Sequence, residues 1–261
     1  MARKDCPKCK GLGWISLGNS VVKCECVYSE LNNMLYIRMN IPKRYRDKSF
    51  KNFQTYNEEQ RRLIENLKDY VLSPNLTEGE SLFLYGNPGV GKTHLAVAVL
   101  KEIFFKRKIV GLFYDTRTLL FDLKSTFDGS RSGREILDDV INAPVLVLDD
   151  LGSERMSDWA RDILHYIIVR RYNDMLPIII TSNMRIEGEG NTVFEETLEE
   201  RMGSAIASRI IEVCKKFEVK GDDFRKSDLI ERLKIKGDIK DEDSNGKKRN
   251  KRNPNRGKNK S

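Results

Sequence analysis

Residues Ser81 to Thr93 read SLFLYGNPGVGKT: an apolar stretch, a turn carrying three glycines, then Lys-Thr opening a helix that continues HLAVAVLKEIF. This segment constrains the fold strongly, because the strand, the turn and the helix must meet at one point. Gly86, Gly89 and Gly91 permit backbone turns that a side chain would obstruct, so successive N–H groups face inward. The helix N-terminus adds partial positive charge at the same place. With every position of GxxxxGK[ST] filled from Gly86 to Thr93, the anion this cradle suits is the phosphate chain of a nucleotide. Lys92 is expected to reach the β- and γ-oxygens and the Thr93 hydroxyl to ligate Mg²⁺. Gly86, Asn87, Pro88, Gly89, Val90, Gly91, Lys92, Thr93 and His94 form the expected nucleotide-binding set.

Strand and helix patterns alternate beyond the loop. IVGLFY at 109–114 reads as a strand, and Asp115-Thr116 can cap a helix RTLLFDLKSTF; a further helix is expected at 133–142. PVLVLDD at 144–150 is a continuous apolar run ending in two acids, as in a strand covered on both faces. A helix at 157–174, the strand IIITSN at 178–183, a helix through EETLEERMGSAIASRI, a strand over RIIEVCKKFEV and a short helix FRKSDLIERLK complete the series. Such alternation predicts an α/β fold with a parallel sheet flanked by helices. Upstream, a helix at 27–39 gives way at Asn40-Ile41-Pro42 to an irregular connector, and a helix follows at 57–72. The expected organisation is a module at 1–39, a linker at 40–57, the α/β domain at 58–234 and a tail at 235–261.

Asp149 and Asp150 end a strand and therefore fall at the carboxyl edge of the sheet, where ligands bind in open α/β folds. There one carboxylate can hold Mg²⁺ through water while its neighbour orients an attacking water. Asn183, at the end of IIITSN, can hydrogen-bond both a γ-phosphate and that water. Arg209 in SAIASRII is a candidate arginine finger for a neighbouring subunit, with a surface salt bridge as the plainer reading.

Cys6-Pro-Lys-Cys9 and Cys24-Glu-Cys26 enclose 14 residues that include Gly11 and Gly13. Four thiolates this close suit tetrahedral Zn²⁺, and the glycine in CPKCKG suits a knuckle whose N–H groups bond the sulfurs. A disulfide framework is the other reading. The segment is too small to fold on apolar burial alone, so metal would supply its stability. Cys214, in the apolar run IIEVC, reads as a core thiol, and neither His94 nor His165 has a metal-ligand partner at suitable spacing.

The formal net charge of +8 suggests a nucleic-acid partner until its distribution is considered. Eight of the 47 basic residues lie in Ser244–Ser261 with no acid among them, which leaves 39 basic against 39 acidic residues elsewhere. The tail is expected to be disordered, acting either as a solubilising segment or as a non-specific nucleic-acid arm. MARKDCPKCKG lacks the apolar stretch of an export signal and no run approaches the length of a membrane span, so a cytoplasmic, membrane-free protein is expected.

The phosphate loop with its GKTHLA continuation, VLVLDDLGSE, TSN and ASRI, in this order and spacing, resembles AAA+ ATPases of the replicative helicase-loader group typified by DnaC and DnaI, with the IstB transposition ATPases close by. The resemblance covers about residues 40 to 226, and IPKRYRDKSFKNF resembles the stretch those proteins place ahead of the ATPase domain. It implies an ATPase in which Asp149 is the Mg²⁺ carboxylate, Asp150 the general-base position, Asn183 sensor 1, Arg209 the arginine finger and Arg225 a sensor-2-like arginine. It implies that the cysteine module engages a replicative DNA helicase and that the chain self-associates into a ring or spiral on single-stranded DNA. On that likeness Arg117, Lys124, Arg131 and Arg134 would meet DNA phosphates, and Phe127 would offer a stacking surface. Many relatives carry Glu where this chain has Asp150, one methylene shorter, so slow, switch-like hydrolysis is expected. Little or no helical lid is expected beyond Arg225. The alternatives are an IstB-like transposition regulator and an adaptor that binds ATP without hydrolysing it.

Overall fold

The computed structural model describes residues 3–18, 20–125, 131–153, 157–185 and 197–224. Met1–Gly221 form one unit, and of the second, Asp222–Ser261, only Asp222–Phe224 are described. Arg225, Phe127, the side chain of Arg131, the expected final helix and the basic tail lie outside the described residues.

Five strands form the main sheet: β3 (Ser81–Tyr85), β4 (Leu112–Asp115), β5 (Leu146–Asp149), β6 (Ile178–Ser182) and β7 (Cys214–Glu218), following the small hairpin β1 (Trp14–Leu17) and β2 (Ser20–Lys23). Their order is β4-β5-β6-β3-β7 and every pairing is parallel. Register is set by pairs such as Leu82 with Ile179, Leu146 with Ile178 and Ser81 with Cys214. Successive strand residues face opposite sides, so the apolar runs split between two cores. Leu82, Leu84, Val147 and Ile179 join one cluster, while Phe83, Leu146, Leu148, Ile178 and Ile180 join the other.

The helices covering these faces follow from their own patterns. In α2 (Glu58–Leu72) the Asn57 side chain accepts from the Gln60 N–H, and Leu63, Ile64, Leu67 and Val71 make the buried stripe. It packs with α3 (Lys92–Arg107) on the first core. On the second core lie α4 (Thr116–Ser125), α6 (Asp158–Asn173), α7 (Leu198–Met202) and α8 (Ser204–Val213), with α5 (Arg131–Asn142) beside them. An amino-terminal helix, α1 (Glu25–Arg38), leads from the hairpin into the connector. Among the described residues no helix is long and apolar enough to cross a membrane.

Several boundaries differ from the sequence expectation. The strand expected over RIIEVCKKFEV begins only at Cys214, because Ile206, Ala207 and Ile210 at helical spacing bury one face and hold the preceding residues in α8. Gly203, at φ +89°, divides what reads as a single helix into α7 and α8. The strand expected from Ile109 starts at Leu112, where pairing with β5 begins and the Leu112 N–H donates to the Val145 carbonyl at 2.8 Å. The connector is built into the domain: Met39, Ile41 and Phe53 are buried in the core shared by α2 and α3.

Arg171 is fully buried in α6 and donates to the carbonyls of Val140, Ile141 and Pro177 at 2.8–2.9 Å. It thereby joins the end of α5 to the lead-in of β6. Burial lowers its guanidinium pKa, though the group stays charged at neutral pH. Arg171→Ala leaves three buried carbonyls without a donor and opens a cavity, so unfolding in urea is expected to show a loss of about 3–5 kcal/mol.

Candidate nucleotide site

Because β6 lies between β3 and β5, the loops after all three strands converge at one edge of the sheet. The phosphate loop leaves β3 with Gly86, Gly89 and Gly91 all at positive φ. A side chain at Gly86 would come within 2.4 Å of the Val219 carbonyl, and one at Gly91 within 2.7 Å of the Phe53 ring. The backbone is therefore held close on both sides.

Lys92 is 7% exposed and its Nζ donates to the carbonyls of Gly86 and Asn87 at 2.8 Å and to Asn183 Oδ1 at 2.7 Å. The last contact joins the β3 loop to the end of β6. Asp149 lies between them. Its carboxylate accepts from Thr93 Oγ1 at 3.1 Å and from Thr181 Oγ1 at 2.7 Å, and Thr116 Oγ1 holds its carbonyl at 2.9 Å. Burial pushes the Asp149 pKa up to about 6, opposed by the two hydroxyl donors. Asp150 occupies left-handed backbone at φ +59°. Its N–H donates to Thr181 Oγ1, its Oδ1 accepts from Asn183 Nδ2 at 3.0 Å, and its Oδ2 lies 3.7 Å from Arg117 Nη2.

Lys92, Thr93, Asp149, Asp150 and Asn183 are thus brought together. Thr93 and Asp149 present adjacent oxygens, a donor pair suited to a hard divalent cation such as Mg²⁺. Other expectations are placed differently. The His94 ring turns to the connector, with Nε2 2.9 Å from the Ser49 carbonyl and its edge on Phe53. Arg209 donates to the Ala205 carbonyl one turn earlier in α8 and packs over the Tyr172 ring. There it lines a cleft with Gly79, Ser81 and Cys214, at the amino edge of the sheet and opposite this chain's own cradle. Arg117 is drawn to Ser153 and Asp150, while Lys124 and Arg134 are exposed.

Two contributors escaped the sequence reading. Thr181 bridges both acids, and its signal was a hydroxyl two residues before Asn183 on a central strand. Arg185 lines a recess with Gly86, Asn87, Val90 and Asn183, and nothing in its spacing marked it.

Cys6, Cys9, Cys24 and Cys26 are all buried, and their sulfurs lie within 4.8 Å of one another. The Cys6–Cys24 and Cys9–Cys26 separations are 3.8 and 3.4 Å. Four sulfurs about 2.3 Å from a central Zn²⁺ would be about 3.8 Å apart, so the donor set fits such an ion. The Cys9 N–H pulls the Cys6 thiol down to about 6, while burial pushes Cys26 up to about 12. Lys10 and Gly11, both at positive φ, form the knuckle after the first pair, and Cys24 precedes the first turn of α1. Among the described residues, Ile15 and Val27 are the partly buried apolar side chains packed beside the four cysteines.

The raised Asp149 pKa fixes a sign. A carboxyl that is harder to ionise when folded than when unfolded opposes folding wherever it is charged, and this opposition disappears as pH falls from 6 toward 4. Asp149→Asn is therefore expected to stabilise the nucleotide-free protein by roughly 2–3 kcal/mol at pH 7.5. Melting curves across pH should show the difference vanishing near pH 4.

The chain is 27% identical over 236 residues to the phage-like element PBSX protein XkdC of Bacillus subtilis, covering 84% of this chain and 82% of that protein. It is 32% identical over 123 residues to the replicative helicase loader DnaI of the same organism, covering 46% of this chain and 39% of DnaI, so it spans well under two thirds of that relative. A crystal structure of the DnaC helicase loader superposes with a TM-score of 0.61 at 40% identity, covering 69% of this chain and 100% of that one. The model of the IstB-like ATP binding protein family matches residues 28–231, a span that takes in the whole sheet, the phosphate loop and both acids. The chain therefore belongs to the IstB-like ATP-binding family, alongside the AAA+ DnaC and DnaI helicase loaders.

Proposed function

We propose that this protein is an ATP-dependent loader of a replicative DNA helicase, acting on single-stranded DNA. The observation that carries this reading is the apolar surface joined to the ATPase core. Among the described residues, Leu12, Trp14, Leu17, Val21, Val22, Tyr28, Leu31, Met34 and Ile37 are large, apolar and exposed, all within the cysteine module and α1. Exposed apolar side chains gathered in one segment suit a protein partner. Residues 1–39 would form the docking module, with Zn²⁺ on Cys6, Cys9, Cys24 and Cys26 in place of an apolar core. Residues 40–57 would be the connector, 58–234 the ATPase domain and 235–261 a basic tail.

In the ATPase site Lys92 would bind the β- and γ-phosphates of ATP, with Thr93 and Asp149 holding Mg²⁺, which neutralises phosphate charge when bound. Asp150 would orient the attacking water and Asn183 would contact both water and γ-phosphate. Arg209, on the opposite edge, would serve a neighbouring protomer and so favour a ring or spiral, while Arg225 would act in cis. Lys124 and Arg134, exposed on α4 and α5, would attract DNA phosphates together with Arg131.

Two other readings each have an observation behind them. The family model favours a transposition regulator of the IstB kind, which would prefer duplex to single-stranded DNA. The engagement of Asp150 by Asn183 and Arg117 favours an adaptor that holds ATP without cleaving it.

Pull-down with the replicative helicase of the host separates these readings. The loader is expected to retain helicase under ATP, and Cys9→Ser to abolish retention while metal analysis shows loss of bound Zn²⁺. Unchanged retention by Cys9→Ser refutes the docking role. Lys92→Ala is expected to lower phosphate release about 100-fold, the scale of losing a positioned charge at the reacting phosphate. Equal release from wild type and Lys92→Ala establishes the adaptor, and tighter ATP-dependent binding to duplex DNA establishes the transposition regulator.

A further inference from the structure

The connector between the cysteine module and the ATPase domain is fastened mainly by the helix that begins at the phosphate loop. Two side chains of α3, about two turns apart, reach it. His94, two residues after Lys92, meets the Ser49 carbonyl through Nε2 at 2.9 Å. Lys101 donates to the carbonyls of Arg46 and Lys48 at 2.9 and 2.7 Å, with its ammonium 4.7 Å from the centre of the Tyr36 ring. On either side of these ties, Ser49 and Asn52 close a reciprocal capping box and the Arg46 Nε returns to the Ile41 carbonyl.

Phe53 completes the arrangement. Its ring is 8% exposed, lies edge-on to His94 with centroids 5.2 Å apart, and presses on Gly91 so closely that a Cβ there would sit 2.7 Å from Cε2. Gly91, at φ +99°, is the residue from which the helix starts. Phosphate held by the loop amides would fix the peptide planes on either side of Gly91, the residue that Phe53 packs against. Order in the loop would therefore reach the connector through a direct packed contact.

We propose that Phe53 and His94 are positioning residues through which nucleotide on the phosphate loop locks the connector, and hence the placement of the cysteine module. The inference rests on the loop binding ATP, as proposed above, and adds how that binding is relayed to the partner-binding end. It predicts that the connector is the segment most changed by nucleotide outside the site itself.

Hydrogen exchange of the full-length protein, with and without the non-hydrolysed β,γ-imido analogue of ATP and Mg²⁺, tests the relay, with analogue affinity measured in parallel by calorimetry. In the wild type, exchange of amides 43–53 is expected to slow at least fivefold on binding. Phe53→Ala should bind the analogue within about threefold of wild type yet lose that slowing, and Phe53→Leu, which keeps apolar bulk at Gly91, should restore about half of it. If Phe53→Ala does not fold, His94→Gln replaces it; this keeps a donor for Ser49 but removes the ring edge, and should at least halve the effect. Nucleotide-dependent slowing that persists undiminished in these variants, or a wild-type connector indifferent to bound analogue, overturns the relay. Failure of the wild type to bind the analogue at all counts instead against the ATPase reading on which the relay depends.

Discussion

The arrangement of the candidate site depends on one buried carboxylate. Asp149 lies at the end of β5 with its oxygens taken by Thr93 from the first turn of α3 and Thr181 from β6. Three neighbouring segments of the fold thus converge on two oxygens. The bonds span only about 3 Å, so they tolerate no slip in the pairing of β5 with β6, where Leu148 stands opposite Ile180. Apolar packing on both faces of the sheet enforces that register and offsets the cost of keeping a charge at 6% exposure. The same burial makes Asp149 a strained occupant in the free protein and a strong ligand for an incoming cation. Stability is exchanged for readiness at this one residue.

How far the sequence revealed this depends on whether a feature is local. The phosphate loop was legible because its chemistry belongs to the backbone, and glycines at Gly86, Gly89 and Gly91 serve little else. The Asp149–Asp150 pair was legible because a doubly covered strand reads as an apolar run with a polar end. The contacts that span segments were not. His94 continues the loop motif and so was expected at the nucleotide, yet its ring faces Ser49, 45 positions away. Arg117 reads as a free cation on a helix, and only the fold brings it to Ser153 and Asp150. The start of β7 was misplaced for a third reason: Ile210, Ile211 and Val213 favour a strand in isolation, and burial of Ile206, Ala207 and Ile210 on one helical face overrides that preference.

Asp150 bears on the slow, timer-like hydrolysis expected of this chain. Its φ of +59° is one that residues other than glycine adopt rarely, and the bond from its N–H to Thr181 Oγ1 helps to hold it there. That backbone turn aims the shorter carboxylate at Asn183 and Arg117. A water-orienting group must have lone pairs free in the right direction, and both carboxylate oxygens here already face protein groups. A water bound there would share the carboxylate with Asn183 and Arg117, which draw on its negative charge and would weaken it as a base. Arg117 belongs to α4, the helix whose outward face carries Lys124, so a ligand drawing Arg117 toward that face would free an Asp150 oxygen.

The placement of Arg209 bears on how such a timer is completed. It lies in the middle of α8 and shares a cleft with Ser81 and Gly79, while the phosphate loop follows the opposite end of β3. A strand of five residues at about 3.3 Å each separates the two edges, beyond what one arginine side chain can span around a packed core. If Arg209 acts on a phosphate, that phosphate lies on another copy of the chain. The packing of Arg209 on Tyr172, whose hydroxyl donates to Glu212, holds the guanidinium on the surface of α6 and α8 before any neighbour arrives. Such pre-positioning would lower the entropy lost if a second protomer docked, so that the proposed self-association and completion of the site would be one event. On the proposed reading, a chain whose cradle and finger face opposite ways would be inactive alone by geometry, and hydrolysis would begin only after assembly had brought a second copy into place.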